Sequence, residues 1–247
     1  MSSQDKSIAA YENASRVAAY DADMEIMHPN RHRMVEVILD VLAAAGPEPG
    51  LVLDLGTGTG FLLQRLLGRF PLARAMAVDG AGPMLDLARE RLGQNASRVD
   101  FHVCDFRNLS TINERVGPVD AVFSSFALHH LSVAEKAALD RTAFSMLRPG
   151  GWFLSADLIV SEDDYLETLI QRMRVRGIVA RAAGRDARFA DEGLTQAFLR
   201  RIEEEDNDQP QQLIADLQGL TSAGFEHVSV LWRETREVVV GGMALSR

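Results

Sequence analysis

The chain of 247 residues has a length typical of one large α/β domain, and its 47% hydrophobic residues are enough to build a core. The formal net charge of -9 argues against a nucleic-acid substrate, because proteins that bind DNA or RNA neutralise phosphates with a basic face. The single cysteine, Cys104, excludes an internal disulfide and a cysteine metal cluster. No apolar run reaches the roughly 20 residues that span a bilayer, and residues 1–20 are too polar for a secretion signal. We therefore expect a cytoplasmic protein that interacts with neither nucleic acid nor membrane.

The first 156 residues predict helices followed by an alternation of strands and helices. The N-terminal 45 residues have a helical pattern that breaks near His28-Pro29. Five short β-rich runs follow, at residues 51–55, 75–79, 99–104, 119–126 and 151–156. Helical patterns lie between them at residues 60–70, 84–92 and 133–147, and Arg148-Pro149-Gly150-Gly151 predicts a turn. Strands that alternate with helices favour a parallel sheet covered on both faces.

Beyond Asp157 the pattern changes. Residues 161–205 are charged and helical, with six arginines between residues 172 and 188 and no convincing strand. Pro210 predicts the start of a further helix, and Gly224 predicts its end. Residues 227–232 and 237–240 predict two strands that finish the sheet as an antiparallel hairpin. We therefore predict four regions: a helical cap at 1–45, a core at 46–160, a helical lid insertion at 161–209, and a helix with a hairpin at 210–247.

The glycine-rich segment Asp54-Leu-Gly56-Thr-Gly58-Thr-Gly60 follows the first predicted strand and precedes a helix. Glycines let the backbone turn sharply and let a ligand approach it closely. By itself such a turn could bind a dinucleotide, another nucleotide or nothing. Its G-x-G-x-G spacing lacks the extra residue of the usual dinucleotide motif. Asp79 ends the next strand, where a carboxylate can accept both hydroxyls of a ribose.

Residues 53–60 resemble the first motif of the class I S-adenosylmethionine-dependent methyltransferases, and further motifs follow in that family's order. Asp79 matches the family's ribose-binding acid, and Asp105-Phe106 resembles the pair that meets the adenine. Three more segments resemble the fourth-strand motif, the turn before the fifth strand and the segment before the hairpin, at residues 120–131, 147–154 and 223–225. The resemblance covers residues 35–245. It implies an α/β fold, Rossmann-like, in which a seven-stranded, mostly parallel sheet carries an antiparallel C-terminal hairpin, helices on both faces and a helical lid insertion.

The same resemblance implies that the cofactor is S-adenosyl-L-methionine (SAM). The glycine loop would approach its methionine part, Asp54 would receive its ammonium group, and Asp79 would hold the ribose. Met84 and Phe106 would sandwich the adenine, and Asp105 would accept from its exocyclic amine. The predicted cofactor-binding set is Tyr20, Asp54, Gly56, Thr57, Gly58, Gly60, Asp79, Gly80, Met84, Asp105, Phe106 and Ser124.

Some of these residues also have simpler structural explanations, which the sequence leaves open. Asp79 could cap a strand end, and Asp105 could be a surface turn residue. Met84 could belong to a helix core, and Tyr20 could serve packing alone.

Two histidines are the candidate catalytic residues. His129-His130 follows the fourth strand, where a neutral imidazole near the sulfonium could take a proton from the substrate, although a histidine here often only shapes the pocket. We predict no metal, because His28 and His32 are four residues apart but lack a Glu-x-x-His context. The arginines of residues 172–188 are either a solvated helical face or supply one or two side chains that hold a carboxylate or phosphate.

The predicted activity is that of a methyltransferase which moves a methyl group from SAM to an O, N or C nucleophile of a small molecule by in-line displacement. None of the three tyrosines has a lysine four residues later, which excludes a short-chain dehydrogenase. The stretch that begins at Ser124 lacks the Asp/Asn-Pro-Pro-Tyr of nucleobase-methylating enzymes. Two alternatives stay open: an enzyme like carboxy-S-adenosylmethionine synthase, and a non-catalytic SAM-binding regulatory protein. An anionic substrate and a homodimer are further hypotheses.

Overall fold

The computed structural model describes residues 3–109, 111 and 118–245, with the side chains of residues 3–5 excepted. The helices are α1 (Ser3–Ala10), α2 (Ala14–Met27), α3 (Arg31–Ala44), α4 (Phe61–Arg69), α5 (Gly82–Leu92), α6 (Val133–Met146), α7 (Asp164–Ala182), α8 (Glu192–Asp206) and α9 (Leu213–Ala223). The strands are β1 (Leu51–Leu55), β2 (Arg74–Asp79), β3 (Val99–Val103), β4 (Val119–Ser125), β5 (Leu147–Val160), β6 (Gln211–Gln212), β7 (Glu226–Glu234) and β8 (Glu237–Ala244).

The strands form one mixed sheet in the order β3-β2-β1-β4-β5-β8-β7, and the short β6 pairs with the end of β5. The first five strands run parallel, while β8 lies antiparallel to both β5 and β7. This architecture confirms the predicted fold class. The strand order reverses between β1 and β4, and in such sheets ligands bind at that reversal, beyond the carboxyl ends of the strands.

Helices cover both faces of the sheet because its central strands are apolar on both sides. Val52 and Phe123 pack with α3 and α4 in one hydrophobic cluster. Leu53, Val122 and Phe153 point the other way and pack with α6 and α9 in a second cluster. Parallel strands that are buried on both faces read as continuous apolar runs, which explains why they were visible in the sequence.

The fifth strand is longer than predicted, and the predicted turn before it is a bulge inside the strand. Val119 pairs with Leu147 and Ala121 pairs with Trp152, so four residues of β5 lie opposite one residue of β4. Gly150, at φ +81, provides the left-handed conformation that this bulge needs. Helix α6 does end just before these residues, at Met146, but β5 already begins at Leu147, so the predicted start of the strand at residue 151 was wrong.

The prediction that Pro210 starts a helix was also wrong, since α9 begins at Leu213. Residues Gln211–Gln212 instead form β6 against the end of β5. The Gln209 amide donates to the carbonyl of His129 at 2.6 Å, and the Gln211 side chain donates to the carbonyl of Leu131 at 3.3 Å. These bonds hold residues 207–212 against the turn after β4.

The N-terminal helices and the insertion pack together above the carboxyl edge of the sheet. Met27 of α2 lies in a cluster with Val175 of α7 and Leu199 of α8. The Arg188 guanidinium forms two hydrogen bonds with the Asp23 carboxylate, at 2.6 and 2.9 Å. Together, α1, α2, α7 and α8 cover the carboxyl edge of the sheet, next to the glycine loop.

Within the described part of the chain, no helix combines the length and the hydrophobicity that crossing a bilayer requires.

Candidate active site

The loop after β1 depends on glycines in the left-handed region. Gly56, Gly58 and Gly60 have φ values of +69, +54 and +75. A Cβ at Gly56 would lie 2.3 Å from the Cβ of Ala127, so glycine allows the loops after β1 and β4 to touch. A Cβ at Gly60 would lie 3.0 Å from the Cβ of Ala88 on α5, so that glycine serves helix packing.

Gly56→Ala is expected to destabilise the protein by about 2 kcal/mol or more, because it adds left-handed strain of about 1–2 kcal/mol to the overlap with Ala127. Thermal denaturation should show a melting temperature lower by several degrees. The matched control is Gly68→Ala in α4, where a Cβ meets nothing within 4 Å and alanine favours the helix. Equal melting temperatures for the two variants would show that the close approach of the two loops is not a constraint.

A cavity of about 70 Å³ opens at the carboxyl edge of the sheet, between β1, β2 and β4. Eight predicted cofactor residues line it: Tyr20, Gly56, Gly58, Asp79, Gly80, Met84, Asp105 and Phe106. Asp54, Thr57, Gly60 and Ser124 are not part of its lining. Sequence reasoning did not predict that Ser7 and Ile8 of α1, and Tyr11 just after it, line this cavity. A Cβ at Gly80 would lie 2.6 Å from Cδ1 of Ile8, so α1 rests directly on the turn after β2.

Asp79 is both a loop anchor and a cavity residue. Its Oδ2 accepts from the Gly58 amide at 2.8 Å, and its Oδ1 accepts from the Ala81 amide at 2.9 Å. Burial raises the pKa of the Asp79 carboxyl above its ordinary value, although the two amides oppose that shift. The carboxylate therefore joins the glycine loop to the β2 turn at the wall of the cavity.

Asp54 is 2% exposed, and burial raises the pKa of its carboxyl to about 8. Among the described residues, its Oδ2 has no hydrogen-bond partner. A buried carboxylate in this state is stabilised by a cation, which matches the predicted role toward an ammonium group. Two side-chain hydrogen bonds hold the end of β1 beside Asp54. Thr57 Oγ1 donates to the Asp54 carbonyl at 3.2 Å, and Ser124 Oγ donates to the Leu55 carbonyl at 2.7 Å.

The residues predicted for the adenine have partners within the chain. Asp105 accepts from both the backbone amide and Nε of Arg107, at 2.7–2.9 Å. Met84 is 3% exposed and packs with Val17 and Ala81, so it belongs to a small core as well as to the cavity wall. The ring of Phe106 lies opposite Gly56.

A second cavity, of about 940 Å³, lies under α1, α2, α7 and α8. It adjoins the first cavity through three shared residues, Tyr11, Tyr20 and Phe126. The Tyr11 and Tyr20 rings meet edge to face with their centroids 5.9 Å apart, and Tyr11 Oη donates to Asp206 at 3.0 Å. The volume lies within the range of about 300–1,000 Å³ that is usual for small-molecule sites.

The two candidate catalytic histidines stand between these cavities. His129 lines the larger cavity and His130 lines the smaller one, with their ring centroids 4.2 Å apart. Nδ1 of His129 lies 2.5 Å from Oδ1 of Asp157. Oδ1 of Asp208 lies 2.9 Å from Nδ1 of His130 and 3.7 Å from Nε2 of His129.

Burial opposes a charge on His129, but the neighbouring Asp157 and Asp208 outweigh burial and raise the pKa of its imidazole. Both carboxylates escaped the sequence analysis. Asp157 carried a usable signal, since it follows an apolar strand as Asp79 does. Asp208 carried none, because only the folded chain brings its loop to the histidines.

Two of the six insertion arginines, Arg174 and Arg188, line the larger cavity. Each is already paired: Arg174 Nη1 lies 2.5 Å from Oε1 of Glu203, and Arg188 bonds to Asp23 and Asp186. The predicted anion-binding role therefore stays a prediction.

His28 and His32, the other two histidines considered in the sequence, lie in different environments. His28 lines the larger cavity, its Nδ1 lies 3.0 Å from Oε1 of Glu237, and burial lowers the pKa of its imidazole to about 4. His32 is exposed and contacts Glu25 and Arg65.

Comparison with known proteins identifies the family. Residues 52–151 match the family model of a methyltransferase domain. An uncharacterized methyltransferase of Geobacillus kaustophilus is 30% identical over 161 residues, which are 65% of this chain and 68% of that protein. A malonyl-[acyl-carrier protein] O-methyltransferase of Geobacter sulfurreducens is 36% identical over 116 residues, which are 47% of this chain and 42% of that protein. An O-methyltransferase family protein of Burkholderia thailandensis shares the fold, with a TM-score of 0.68, 20% identity, and coverage of 96% of this chain and 64% of that one.

The chain belongs to the class I S-adenosylmethionine-dependent methyltransferases, and SAM is its cofactor. It spans about two thirds of the first relative and less than half of the second. The substrate that accepts the methyl group therefore has to be inferred from the residues of this chain and not from these relatives.

Proposed function

We propose that the protein transfers the methyl group of SAM to an oxygen atom of a small molecule held in the larger cavity. The observation that carries this proposal is the junction of the two cavities, where Tyr11, Tyr20 and Phe126 separate the cofactor side from the acceptor side. The names of two similar proteins, the malonyl-[acyl-carrier protein] O-methyltransferase and the O-methyltransferase family protein, support oxygen as the acceptor atom.

The chain's own residues then have distinct tasks. Asp79 holds the ribose hydroxyls, and Asp54 balances the ammonium group from its buried position. Met84 and Phe106 flank the adenine. SAM supplies a methyl group that is already activated on a sulfonium, so the chain mainly has to align the acceptor and exclude water.

Helix α1 has to move when SAM binds, because the smaller cavity of about 70 Å³ is well below the usual size of a ligand site. Ile8 rests on Gly80, and Tyr11 lines both cavities where they meet. We infer that α1 swings away to admit SAM and then closes over it. Residues 1–45 and 161–209 would together form the lid that selects the acceptor over the core of residues 46–160.

The histidine pair would help the acceptor hydroxyl to lose its proton. Asp157 holds Nδ1 of His129, which directs Nε2 toward Asp208 at the boundary of the two cavities. This placement supports the catalytic role predicted for His129 and His130.

His129→Gln is expected to lower turnover at least tenfold while leaving SAM affinity nearly unchanged, because His129 lines only the larger cavity. Turnover is measured as S-adenosylhomocysteine formed with the best acceptor, and affinity by calorimetry. His32→Gln is the matched control, since His32 is exposed and outside both cavities. Equal turnover in the two variants would remove His129 from the mechanism.

The activity itself is tested by incubating the protein with SAM and a panel of small phenols, alcohols, carboxylic acids and amines. Methyl ethers or esters detected by mass spectrometry would support the proposal. N-methylated or C-methylated products alone would refute oxygen as the acceptor. Tight SAM binding with no product across the whole panel would favour the non-catalytic alternative.

A further inference from the structure

We propose that His129, His130 and Asp208 form a binding site for one divalent transition-metal cation at the boundary of the two cavities. The site stands on its own geometry, whereas its role toward the acceptor rests on the proposed function. It departs from the sequence-based expectation that the protein has no metal.

Three ligand atoms converge there. His129, His130 and Asp208 each offer one ligand atom within 4.8 Å of the others, and the atoms that approach one another are Nε2 of His129, Nδ1 of His130 and Oδ1 of Asp208. The Asp208 oxygen is 2.9 Å from His130 and 3.7 Å from His129. Nitrogen and oxygen ligands lie about 2.0–2.2 Å from zinc, so pairs of them around one ion are about 3–4 Å apart. Small side-chain adjustments would therefore complete the coordination.

Two of these atoms are buried and face each other. Nδ1 of His130 and Oδ1 of Asp208 lie 2.9 Å apart, and within residues 3–109, 111 and 118–245 neither atom has a hydrogen bond to any other group. Buried polar atoms with few partners are less stable than fully satisfied ones. A cation bound by both atoms would satisfy them.

Asp157 orients the imidazole of His129, the third ligand. Its Oδ1 lies 2.5 Å from Nδ1 of His129 and also accepts from the amide of Leu158 at 2.8 Å. A histidine that donates one ring N–H to a carboxylate presents its other nitrogen as a lone pair, which is the arrangement typical of metal-bound histidines. The nitrogen presented here is Nε2, the atom on the side of Asp208.

The backbone holds the cluster together from two distant segments. The Gln209 amide donates to the His129 carbonyl at 2.6 Å, and the Gln209 side chain donates to the His130 carbonyl at 3.4 Å. Asp208 is thus fixed beside the histidine turn through its neighbour in the chain. Because these bonds bridge the two segments that supply the ligands, the site is built into the fold and does not depend on a flexible surface loop.

The ligand set indicates both the kind of cation and its use. Two imidazoles and one carboxylate suit Zn²⁺, Mn²⁺, Fe²⁺ or Co²⁺ better than Mg²⁺ or Ca²⁺. Three protein ligands leave coordination positions open, as catalytic sites do. A cation at this place would lower the pKa of an acceptor hydroxyl in the larger cavity. The hydroxyl proton would pass to water, the oxygen would form its bond to the methyl carbon, and the electron pair of the broken carbon–sulfur bond would stay on sulfur.

The binding test uses the full chain after EDTA treatment and dialysis, without SAM or acceptor. Calorimetry with Zn²⁺ alone and with Mn²⁺ alone should show one site per chain, and Co²⁺ should produce visible d–d absorption. Asp208→Asn should weaken Zn²⁺ binding at least tenfold. Asp157→Asn, which changes no ligand, should weaken it about 10–100-fold and shift the Co²⁺ spectrum.

The matched control is Glu204→Gln, which removes one negative charge from the same cavity but lies outside the cluster. It should bind Zn²⁺ like the wild type. If the wild type binds neither Zn²⁺ nor Mn²⁺, or if Glu204→Gln weakens binding as much as Asp208→Asn does, the site is refuted. Circular dichroism of each variant checks that the fold is retained.

Failure of this inference can be distinguished from failure of the proposed function. O-methylation that persists at full rate after EDTA treatment would overturn the metal's role and leave the methyl transfer standing. Stoichiometric Zn²⁺ binding that both Asp variants weaken would support the site even if the acceptor panel gave no product.

Discussion

Asp79→Ala is expected to weaken SAM binding at least a hundredfold. The side chain lies at the wall of the smaller cavity, at the end of β2, where it would accept hydrogen bonds from both ribose hydroxyls. A hydrogen bond to a charged group contributes about 1.5–3 kcal/mol, so losing two removes at least about 3 kcal/mol. That energy corresponds to more than a hundredfold in Kd. Isothermal titration with SAM and with S-adenosylhomocysteine measures it.

The same variant leaves the amides of Gly58 and Ala81 without their acceptor, so a lower melting temperature is expected as well. Asp79→Asn keeps the side-chain volume and one acceptor oxygen, and it separates loss of binding from loss of folding. Asp86→Ala, on the exposed side of α5, is the matched control and should bind SAM normally. If both Asp79 variants keep wild-type affinity, the cofactor does not lie where the motifs place it.

Asp54→Asn is expected to have opposite effects on stability and on binding. Without ligand, the Asp54 pKa is about 8 in the folded protein against an ordinary value of 3.8. Between these two pH values the folded state holds a proton that the unfolded state has released, so stability falls as pH rises from about 4 to about 8. Asparagine has no charge to bury, and the variant should therefore be more stable than the wild type at pH 8, by a few kcal/mol. Melting temperatures at pH 5 and pH 8 test this.

The same substitution is expected to be unfavourable for SAM binding. The asparagine cannot offset the ammonium charge, and breaking a buried ion pair costs about 3–5 kcal/mol, so SAM affinity should fall at least a hundredfold. Asp100→Asn on the exposed edge strand β3 is the control for both measurements. The explanation fails if Asp54→Asn and the wild type lose the same stability between pH 5 and pH 8.

The predicted elements that proved right depend on short-range signals. The run at residues 51–55 was recognised because a strand buried on both faces needs consecutive apolar side chains. The helix end at Gly224 was recognised because glycine accepts the left-handed conformation that closes a helix, and its φ is +107. The bulge in β5 was not predicted, because the same proline–glycine sequence can form a turn before a strand or a bend inside one.

The residues of the candidate site likewise fall into those that local sequence patterns indicate and those that only the fold brings together. The sequence by itself predicted the glycine loop, Asp54 and Asp79 as site residues, because each lies at or next to the carboxyl end of a strand, where such sheets bind ligands. Only the tertiary structure decided that α1 covers the cofactor side, that Asp157 supports His129, and that the loop of residue 208 returns to the histidines. The bonds that hold this loop join groups about 80 residues apart. No local pattern encodes such contacts, because they form only after the sheet has brought the ends of β4, β5 and α8 to one edge.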